Sequence, residues 1–250
     1  MTGGAVRPLS PRSIVLSLLL GMRTPRRTGA ELVAWCALFG VAEGTARVAL
    51  SRMVAAGELR LDAGNYELRG RMRSRRAEQE FALEPAMRND DGEWAMLVVV
   101  HSGRVARLRA ELRSALRHAR FAERREGVWV RPANLVHDLA PVVAEQCEMY
   151  WVRPEAPRAL AAELFAPKLW AATAREFGTS LRAVTRDLPH ERAIAPAFVE
   201  GARTAAHLRA DPLLPPPLLP ARWPGERLRV DYREFQRAFR DAIRSWFATQ

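Results

Sequence analysis

Cysteine and lysine are scarce in this chain: it has only Cys36 and Cys147, and its single lysine is Lys168. Two thiols cannot form a disulfide framework or a cysteine zinc site, and they suit a reducing cytoplasm. The five histidines are scattered without the spacing of metal ligands, and no glycine-rich phosphate-binding motif occurs. We therefore expect no metal, no cofactor and no catalytic residue.

Long apolar runs are also missing. The longest near the start, residues 14–20, contains Ser17 and is shorter than the about 20 residues that cross a bilayer. Arginines follow it closely and no small-residue cleavage site appears, which argues against a signal peptide. The sequence predicts a cytoplasmic protein with no membrane partner.

Positive charge, in contrast, is in excess, with 39 Lys and Arg against 28 Asp and Glu, a net charge of +11 over 250 residues. Residues 1–75 hold 12 arginines and 5 acidic residues, so most of the excess lies in less than a third of the chain. This distribution favours a polyanion-binding module at the N-terminus. A generally basic, solvated surface is the alternative.

Apolar spacing in residues 1–76 predicts three helices followed by a hairpin. Four apolar residues recur at i, i+3, i+4 and i+7 in each of the first and third helices: Val15, Leu18, Leu19 and Met22, then Ala46, Ala49, Leu50 and Met53. Ser10 or Ser13 and then Thr28 are expected to cap the first two helices, which would place the second at about 29–39 and the third at about 43–56. Turn residues 62–65 separate two alternating segments, as in the wing of a winged helix-turn-helix.

In such a module the outer face of the third helix enters the major groove. That face carries Thr45, Arg47, Val48, Ser51 and Arg52, which we expect to bind DNA. Arg60 and Asn65 on the wing, and Arg12 near the first helix, are expected to contact phosphates. The alternative for Arg52 is a surface ion pair with Glu43 or Glu58.

The rest of the chain predicts two further parts and an overall α+β fold. Residues 77–93 are interpreted as a linker, and residues 94–155, with strands at 94–100, 127–130 and 149–152 and one helix, as a ferredoxin-like α/β middle domain. Residues 156–250 are expected to be mainly helical, with 211–220 as an extended connection because of its prolines. The last helix has an apolar stripe, interpreted as core or dimer contact: Leu228, Tyr232, Phe235, Phe239, Ile243 and Trp246.

Several of these segments resemble the PaaX family of transcriptional repressors of phenylacetic acid catabolism. The N-terminal match is residues 30–33, 39–41 and 45–53 with Gly57. The middle match is the strand beginning at Trp94 and the segment 127–132, Gly-Val-Trp-Val-Arg-Pro. The C-terminal match is the most specific: Asp-Pro-Leu-Leu-Pro at 211–215, Leu-Leu-Pro at 218–220 and Trp-Pro-Gly at 223–225. Nearly the whole chain is covered.

The resemblance implies a homodimeric repressor with a winged-helix DNA-binding domain, a middle domain similar to a small CRISPR-associated nuclease, and a helical C-terminal domain. The best-known members of the family bind double-stranded operator DNA near catabolic promoters and leave it when phenylacetyl-CoA binds. Two residues weaken the start of the third helix, since Ala42 cannot cap it and Gly44 lowers its helix propensity. Nuclease activity is not expected, because His101 rather than an acidic residue follows the first middle strand.

An acyl-CoA effector needs aromatic surface and basic groups, and two sequence pairs offer both: Trp129 with Arg131, and Trp151 with Arg153. Core tryptophans flanked by surface arginines are the alternative interpretation. Two other functions also stay open. One is regulation of another pathway with a different ligand or none, and the other is an RNA-interacting protein that uses the basic middle sheet.

Overall fold

The computed structural model describes residues 10–22, 25–69, 80–88, 90–101, 105–136, 138–188 and 190–249. The chain divides into two compact units. Unit 1 consists of residues 1–80, 177–209 and 227–250, and unit 2 of residues 81–176 and 210–226. The units therefore combine distant parts of the chain and do not follow three consecutive segments.

The N-terminal part of unit 1 contains three helices and a small antiparallel sheet. In chain order they are α1 (Pro11–Gly21), β1 (Arg26–Thr28), α2 (Gly29–Ala37), α3 (Glu43–Ala55), β2 (Leu59–Asp62) and β3 (Asn65–Leu68). β3 lies in the middle of the sheet, between β1 and β2. The predicted hairpin after α3 is therefore present as β2 and β3.

Unit 2 contains a four-stranded antiparallel sheet, with helices between and after its strands. They are β4 (Trp94–Val99), α4 (Ala106–His118), β5 (Ala122–Arg125), β6 (Val128–Pro132), α5 (Pro141–Gln146), β7 (Cys147–Val152) and α6 (Pro157–Phe165). The strand order is β5-β6-β4-β7, so the first and third strands of a βαββαβ unit are the central pair. This is the ferredoxin-like arrangement that the sequence predicts.

The remaining helices are α7 (Pro167–Asp187), α8 (Ile194–Arg209) and α9 (Gly225–Ala248). Between α8 and α9, residues 211–215 are buried and have no regular secondary structure, and a short 3₁₀ turn follows at Pro216–Leu218. The prolines of this segment explain the absence of a helix, because they lack the backbone donor and fix φ.

Local capping explains where the first two helices begin. The Ser10 hydroxyl accepts a hydrogen bond from the backbone N–H of Ser13, and Pro11 occupies the first turn of α1. Thr28 caps α2 in a reciprocal capping box with Glu31. Ala42 precedes α3 without any side-chain cap, as expected.

The core of unit 1 joins the N-terminal helices to α8 and α9. Trp35 on α2 is fully buried and contacts the rings of Phe198, Phe239 and Trp246 edge-on, at centroid distances of 5.5, 6.3 and 6.0 Å. The indole N–H of Trp246 donates to Glu191 at 3.0 Å, which fixes the last turns of α9. The apolar stripe of α9 is thus core, as one of the two interpretations predicts.

The sheet of unit 2 is covered on both faces. α4 and α5 pack on one face, around Leu97, Leu112 and Trp129. α6 and the segment that contains Leu214 pack on the other face, around Trp94 and Val130.

Three elements escape the sequence patterns: β1, β5 and α5. All are short, and β1 and β5 have no apolar alternation to indicate a strand.

α2 also ends at Ala37, two residues earlier than expected, because a turn begins at Leu38 and leads to Gly40 with φ of 73°. The predicted linker includes residues 77–79 and 89, which lie outside the described residues, while residues 80–83 are helical.

The turn between β2 and β3 contains a strained residue. Asp62 pairs with Asn65, so Ala63 and Gly64 form a two-residue loop, and both have positive φ, 45° and 78°. This is a type I′ turn, in which asparagine and glycine are favoured and a residue with an ordinary Cβ is disfavoured.

We predict that Ala63→Asn stabilises the protein by about 0.5–1 kcal/mol, because asparagine tolerates the left-handed region better than alanine. Ala63→Val is the matched control and should lower stability, since a β-branched side chain is strained at positive φ. The urea midpoint of the full chain measures both. Equal midpoints for the three proteins would contradict the strained turn.

Candidate nucleic-acid interface

The outer face of α3 is exposed over its whole length. Thr45, Arg47, Val48, Ser51 and Arg52 are all exposed, whereas Ala46, Leu50 and Met53 on the opposite face are buried in the unit 1 core. Val48 is an apolar side chain with 51% exposure, flanked by hydroxyls and arginines. This mixture can contact a thymine methyl group and donate to guanine or to phosphate.

The two arginines of this face differ in their partners. Arg47 forms an ion pair with Glu43 one turn earlier, at 2.8 Å, and both side chains are more than 60% exposed. Among the described residues, Arg52 forms no ion pair with a carboxylate. The two carboxylates considered as partners of Arg52 bind other arginines: Glu43 binds Arg47, and Glu58 binds Arg12. The guanidinium of Arg52 is therefore the more available donor.

The hairpin carries its own charge network. Arg60 is paired with Glu67 at 3.0 Å and with Asp62 at 3.7 Å, and the pKa of its guanidinium is raised chiefly by the hydrogen bond to Glu67. Asn65 is half-buried and donates to the carbonyl of Ala63 at 3.1 Å, which holds the turn. Arg60 is therefore exposed but paired with acidic side chains, and the side-chain amide of Asn65 already donates one hydrogen bond within the turn.

Arg12 connects the start of α1 to the end of α3. Its guanidinium binds the Glu58 carboxylate in a bidentate ion pair, with Nε donating to Oε2 at 2.8 Å. The hydrogen bond to Glu58 raises the pKa of Arg12. Because Glu58 lies between α3 and β2, this ion pair links α1 to the junction of the helix and the hairpin. Arg12 is therefore already paired with a carboxylate, and it must leave Glu58 before it can contact a phosphate.

The first turn of α3 has backbone donors without a side-chain acceptor. Ala42 offers no cap, and an added Cβ at Gly44 would meet nothing within 4 Å, so this end of the helix is open. Uncapped N–H groups at a helix N-terminus, together with the helix dipole, favour an anion such as a phosphate.

Trp129 and Arg131, expected to face an effector, are both buried in unit 2, at 3% and 2% exposure. Arg131 donates to the carbonyl of Pro132 at 2.8 Å and to Oδ1 of Asn134 at 2.9 Å. The amide of Asn134 donates in turn to the carbonyl of Leu213, whose φ is 52°. Arg131 therefore organises the buried segment that follows α8, and its position does not meet the expectation that it binds effector phosphates.

Burial also lowers the pKa of the Arg131 guanidinium. Loss of solvent, with the positive charges of Arg120 and Arg88, lowers its pKa to about 9. The group is still protonated at neutral pH, and its charge is balanced by carbonyl dipoles. Trp129 is thus a core tryptophan, as the alternative interpretation has it, but the arginine that accompanies it is buried as well.

Trp151 and Arg153, the second expected pair, are exposed. Trp151 on the edge strand β7 is 54% exposed and lies under the guanidinium of Arg88, 5.6 Å from its ring centroid. Arg153 is 3.7 Å from Glu93. Edge position explains the exposure, since β7 has a neighbour only on its β4 side.

Two further kinds of group are the Cys36 thiol and possible metal ligands. Burial raises the pKa of the Cys36 thiol to about 11, so it is no nucleophile at neutral pH. Within the described ranges, no three His, Cys, Asp or Glu side chains cluster as metal ligands.

No helix in the described part of the chain has both the length and the apolar character needed to cross a bilayer.

One basic surface escaped the sequence analysis. Arg237, Arg240 and Arg244 follow each other at i, i+3 and i+7 along α9 and line a cavity in unit 1. Their helical spacing beside the apolar stripe is the signal that could have revealed them.

Comparison with known proteins gives three consecutive family-model matches. The PaaX-like protein model matches residues 10–72, the PaaX protein central Cas2-like domain residues 87–163, and the PaaX-like protein C-terminal domain residues 167–249. Among solved structures, the uncharacterized protein Rv0674 from Mycobacterium tuberculosis is similar, with 41% identity over 94% of this chain and 98% of that one, and a TM-score of 0.74. The search of curated proteins gives no match.

We predict that Arg131→Met lowers the free energy of unfolding by about 2–3 kcal/mol, because it leaves buried acceptors without their charged donor. Arg153→Met, at an exposed position directly after the edge strand β7 of the same sheet, is the matched control and should change stability by no more than about 0.5 kcal/mol. Chemical denaturation of the full chain measures both. Similar losses in the two variants, or none in either, would contradict the structural role of Arg131.

Proposed function

The chain belongs to the PaaX family of transcriptional regulators, and we propose that it is a sequence-specific, homodimeric DNA-binding repressor of a catabolic operon, released by an aryl-acyl-CoA such as phenylacetyl-CoA. The observation that carries the proposal is the exposed outer face of α3. A helix whose Ala46, Leu50 and Met53 are buried presents hydroxyls, Val48 and the available Arg52 on its outer face. The hairpin that follows it carries the exposed Arg60. We propose that residues 10–69 act as a winged helix, with α3 in the major groove of operator DNA.

The ion pairs at this surface suggest that its arginines contact different parts of the DNA. Arg52 is free to bind guanine O6 and N7 in a bidentate manner, which is a strong specific contact. Arg47 must first leave Glu43, and Arg60 must leave Glu67, so both suit phosphates, which position the protein without reading sequence. The open N-terminus of α3 offers a further phosphate site.

Release by an effector requires two arrangements of the dimer that differ in affinity for the ligand. A ligand that binds both equally shifts nothing, however tightly it binds. We propose that the effector stabilises an arrangement whose two α3 helices do not match the operator. Of the four effector candidates from the sequence, Trp151 and Arg153 are the accessible pair.

We predict that Arg52→Ala weakens binding to the promoter DNA upstream of the protein's own operon by about 1–3 kcal/mol and relaxes sequence preference. Arg47→Ala should weaken specific and non-specific DNA alike and reduce the salt slope by about one phosphate contact. Arg107→Ala, an exposed arginine on α4, is the control and should leave both unchanged. Fluorescence anisotropy at several stated salt concentrations gives these values.

Binding that is indifferent to DNA sequence and to Arg47 and Arg52 would overturn the repressor. Binding that survives these substitutions but prefers single-stranded RNA would instead favour the RNA-interacting alternative. Specific DNA binding that no acyl-CoA relieves would leave a regulator with another ligand or none.

Dimeric recognition gives a separate prediction about the operator. Two symmetric α3 helices require half-sites whose centres lie about 10 bp apart, or a multiple of that. Inserting about 5 bp between the half-sites turns them to opposite faces of the duplex and should abolish cooperative binding, whereas inserting about 10 bp should restore part of it. Gel-shift titration with a stoichiometry measurement tests this, and equal affinity for all three spacings would argue for a monomer.

A further inference from the structure

Unit 1 contains a cavity of about 590 Å³ between α1 and the helices α8 and α9. The volume lies in the range of small-molecule sites. Its apolar lining includes Leu16 and Leu20 from α1, Phe198 from α8, and Tyr232, Phe235 and Phe239 from α9. Gly201 allows the ring of Phe235 to pack closely against α8, because a Cβ at Gly201 would lie only 2.3 Å from that ring. The lining is thus apolar and largely aromatic.

The polar lining of the same cavity is strongly basic. Six arginines face it, with Asp241 as the single acidic side chain that lines it in the described part of the chain: Arg12, Arg27, Arg209, Arg237, Arg240 and Arg244. Arg237 and Arg240 form no ion pair with any described carboxylate, whereas Nε of Arg27 lies 3.6 Å from Oε1 of Glu31. Clustered donors that lack a carboxylate partner, here Arg237 and Arg240, indicate a site for an anionic group.

α1 connects this cavity to the proposed DNA-binding face. Ile14, Val15 and Leu19 pack in the same core as the inner face of α3, while the cavity side of α1 presents Arg12. Arg12 holds Glu58 at the junction of α3 and β2. An anion in the cavity therefore competes with Glu58 for the one guanidinium that faces both.

We propose that this cavity binds a small organic anion, with an aryl or acyl part against the aromatic lining and the charged part among the arginines, and that binding draws Arg12 away from Glu58. Loss of that ion pair releases the link between α1 and the junction of α3 with the hairpin. The effect on DNA rests on the proposed function, whereas ligand binding in the cavity does not.

The first experiment measures ligand binding to the full chain without DNA. The probes are 8-anilino-1-naphthalenesulfonate, an aryl anion that fluoresces in apolar sites, and phenylacetyl-CoA by calorimetry, with phenylacetate and CoA titrated separately. Arg237→Gln/Arg240→Gln should raise the Kd of both probes about tenfold or more, since two charge-assisted contacts are lost. Ala202→Trp, which fills the cavity from α8, should abolish binding.

Two matched double variants control for charge and for the other candidate site. Arg107→Gln/Arg117→Gln removes the same charge from the exposed face of α4 and should leave both Kd values unchanged. Trp151→Ala/Arg153→Ala should do the same. Equal affinity of wild type and the α9 variant, or loss of binding only in the Trp151 and Arg153 variant, would overturn the proposal. Circular dichroism checks that each variant folds. If Ala202→Trp does not fold, the Arg237→Gln/Arg240→Gln variant on α9 still tests the proposal.

The second experiment tests the link through Arg12. Glu58→Gln frees Arg12 in the absence of ligand and should tighten binding of both probes about two- to fivefold. Unchanged affinity would refute the competition. Because no DNA is present in these measurements, failure of promoter binding would remove the repressor function and leave the cavity result standing, so the two failures are distinguishable.

Discussion

Unit 1 depends on one aromatic contact set, the packing of Trp35 against helices from the far end of the chain. Trp35 is fully buried, and Phe198 and Trp246 close over it edge-on, a geometry that adds to the area buried by each ring. The short helices α1 to α3 and the small sheet present one continuous apolar surface to α8 and α9. The N-terminal segment therefore completes its core with residues of the C-terminal helices, and α3, which carries the exposed arginines, packs in that same core.

The features that sequence patterns predicted are those decided within a few residues. The caps at Ser10 and Thr28, the buried and exposed faces of α3, and the hairpin turn all follow from local spacing and side-chain chemistry. The ferredoxin-like topology followed from the order of strands and helices, although β5 and α5 were not foreseen. The five predicted residues on α3 lie together on an exposed face, so the candidate site was the most predictable part of the molecule. Whether that face binds DNA stays a prediction.

What sequence patterns missed depends on contacts between distant residues. β1 is a strand because Arg26, Arg27 and Thr28 pair with β3, not because of their own pattern. Arg131 is buried because Asn134 and the carbonyl of Leu213, some 80 residues later, receive it. Position in the sheet separated two tryptophans that the sequence treated alike, since Trp129 lies on β6 under α4 and is buried, whereas Trp151 lies on the edge strand and is exposed. The apolar pattern of a strand does not show which residues of other elements will cover it.

The cavity adds a thermodynamic constraint to the shared core. α1 has one face in the core and one face on the cavity, so a ligand there perturbs the same helix that supports α3. Binding sites coupled in this way obey reciprocity: an anion that weakens operator binding must itself bind less tightly when the operator is bound. The Arg12–Glu58 ion pair is exposed on the arginine side, and such pairs contribute up to about 1 kcal/mol. One pair therefore accounts for at most about a fivefold change in affinity in each protomer. In the proposed dimer, two such links would multiply this change.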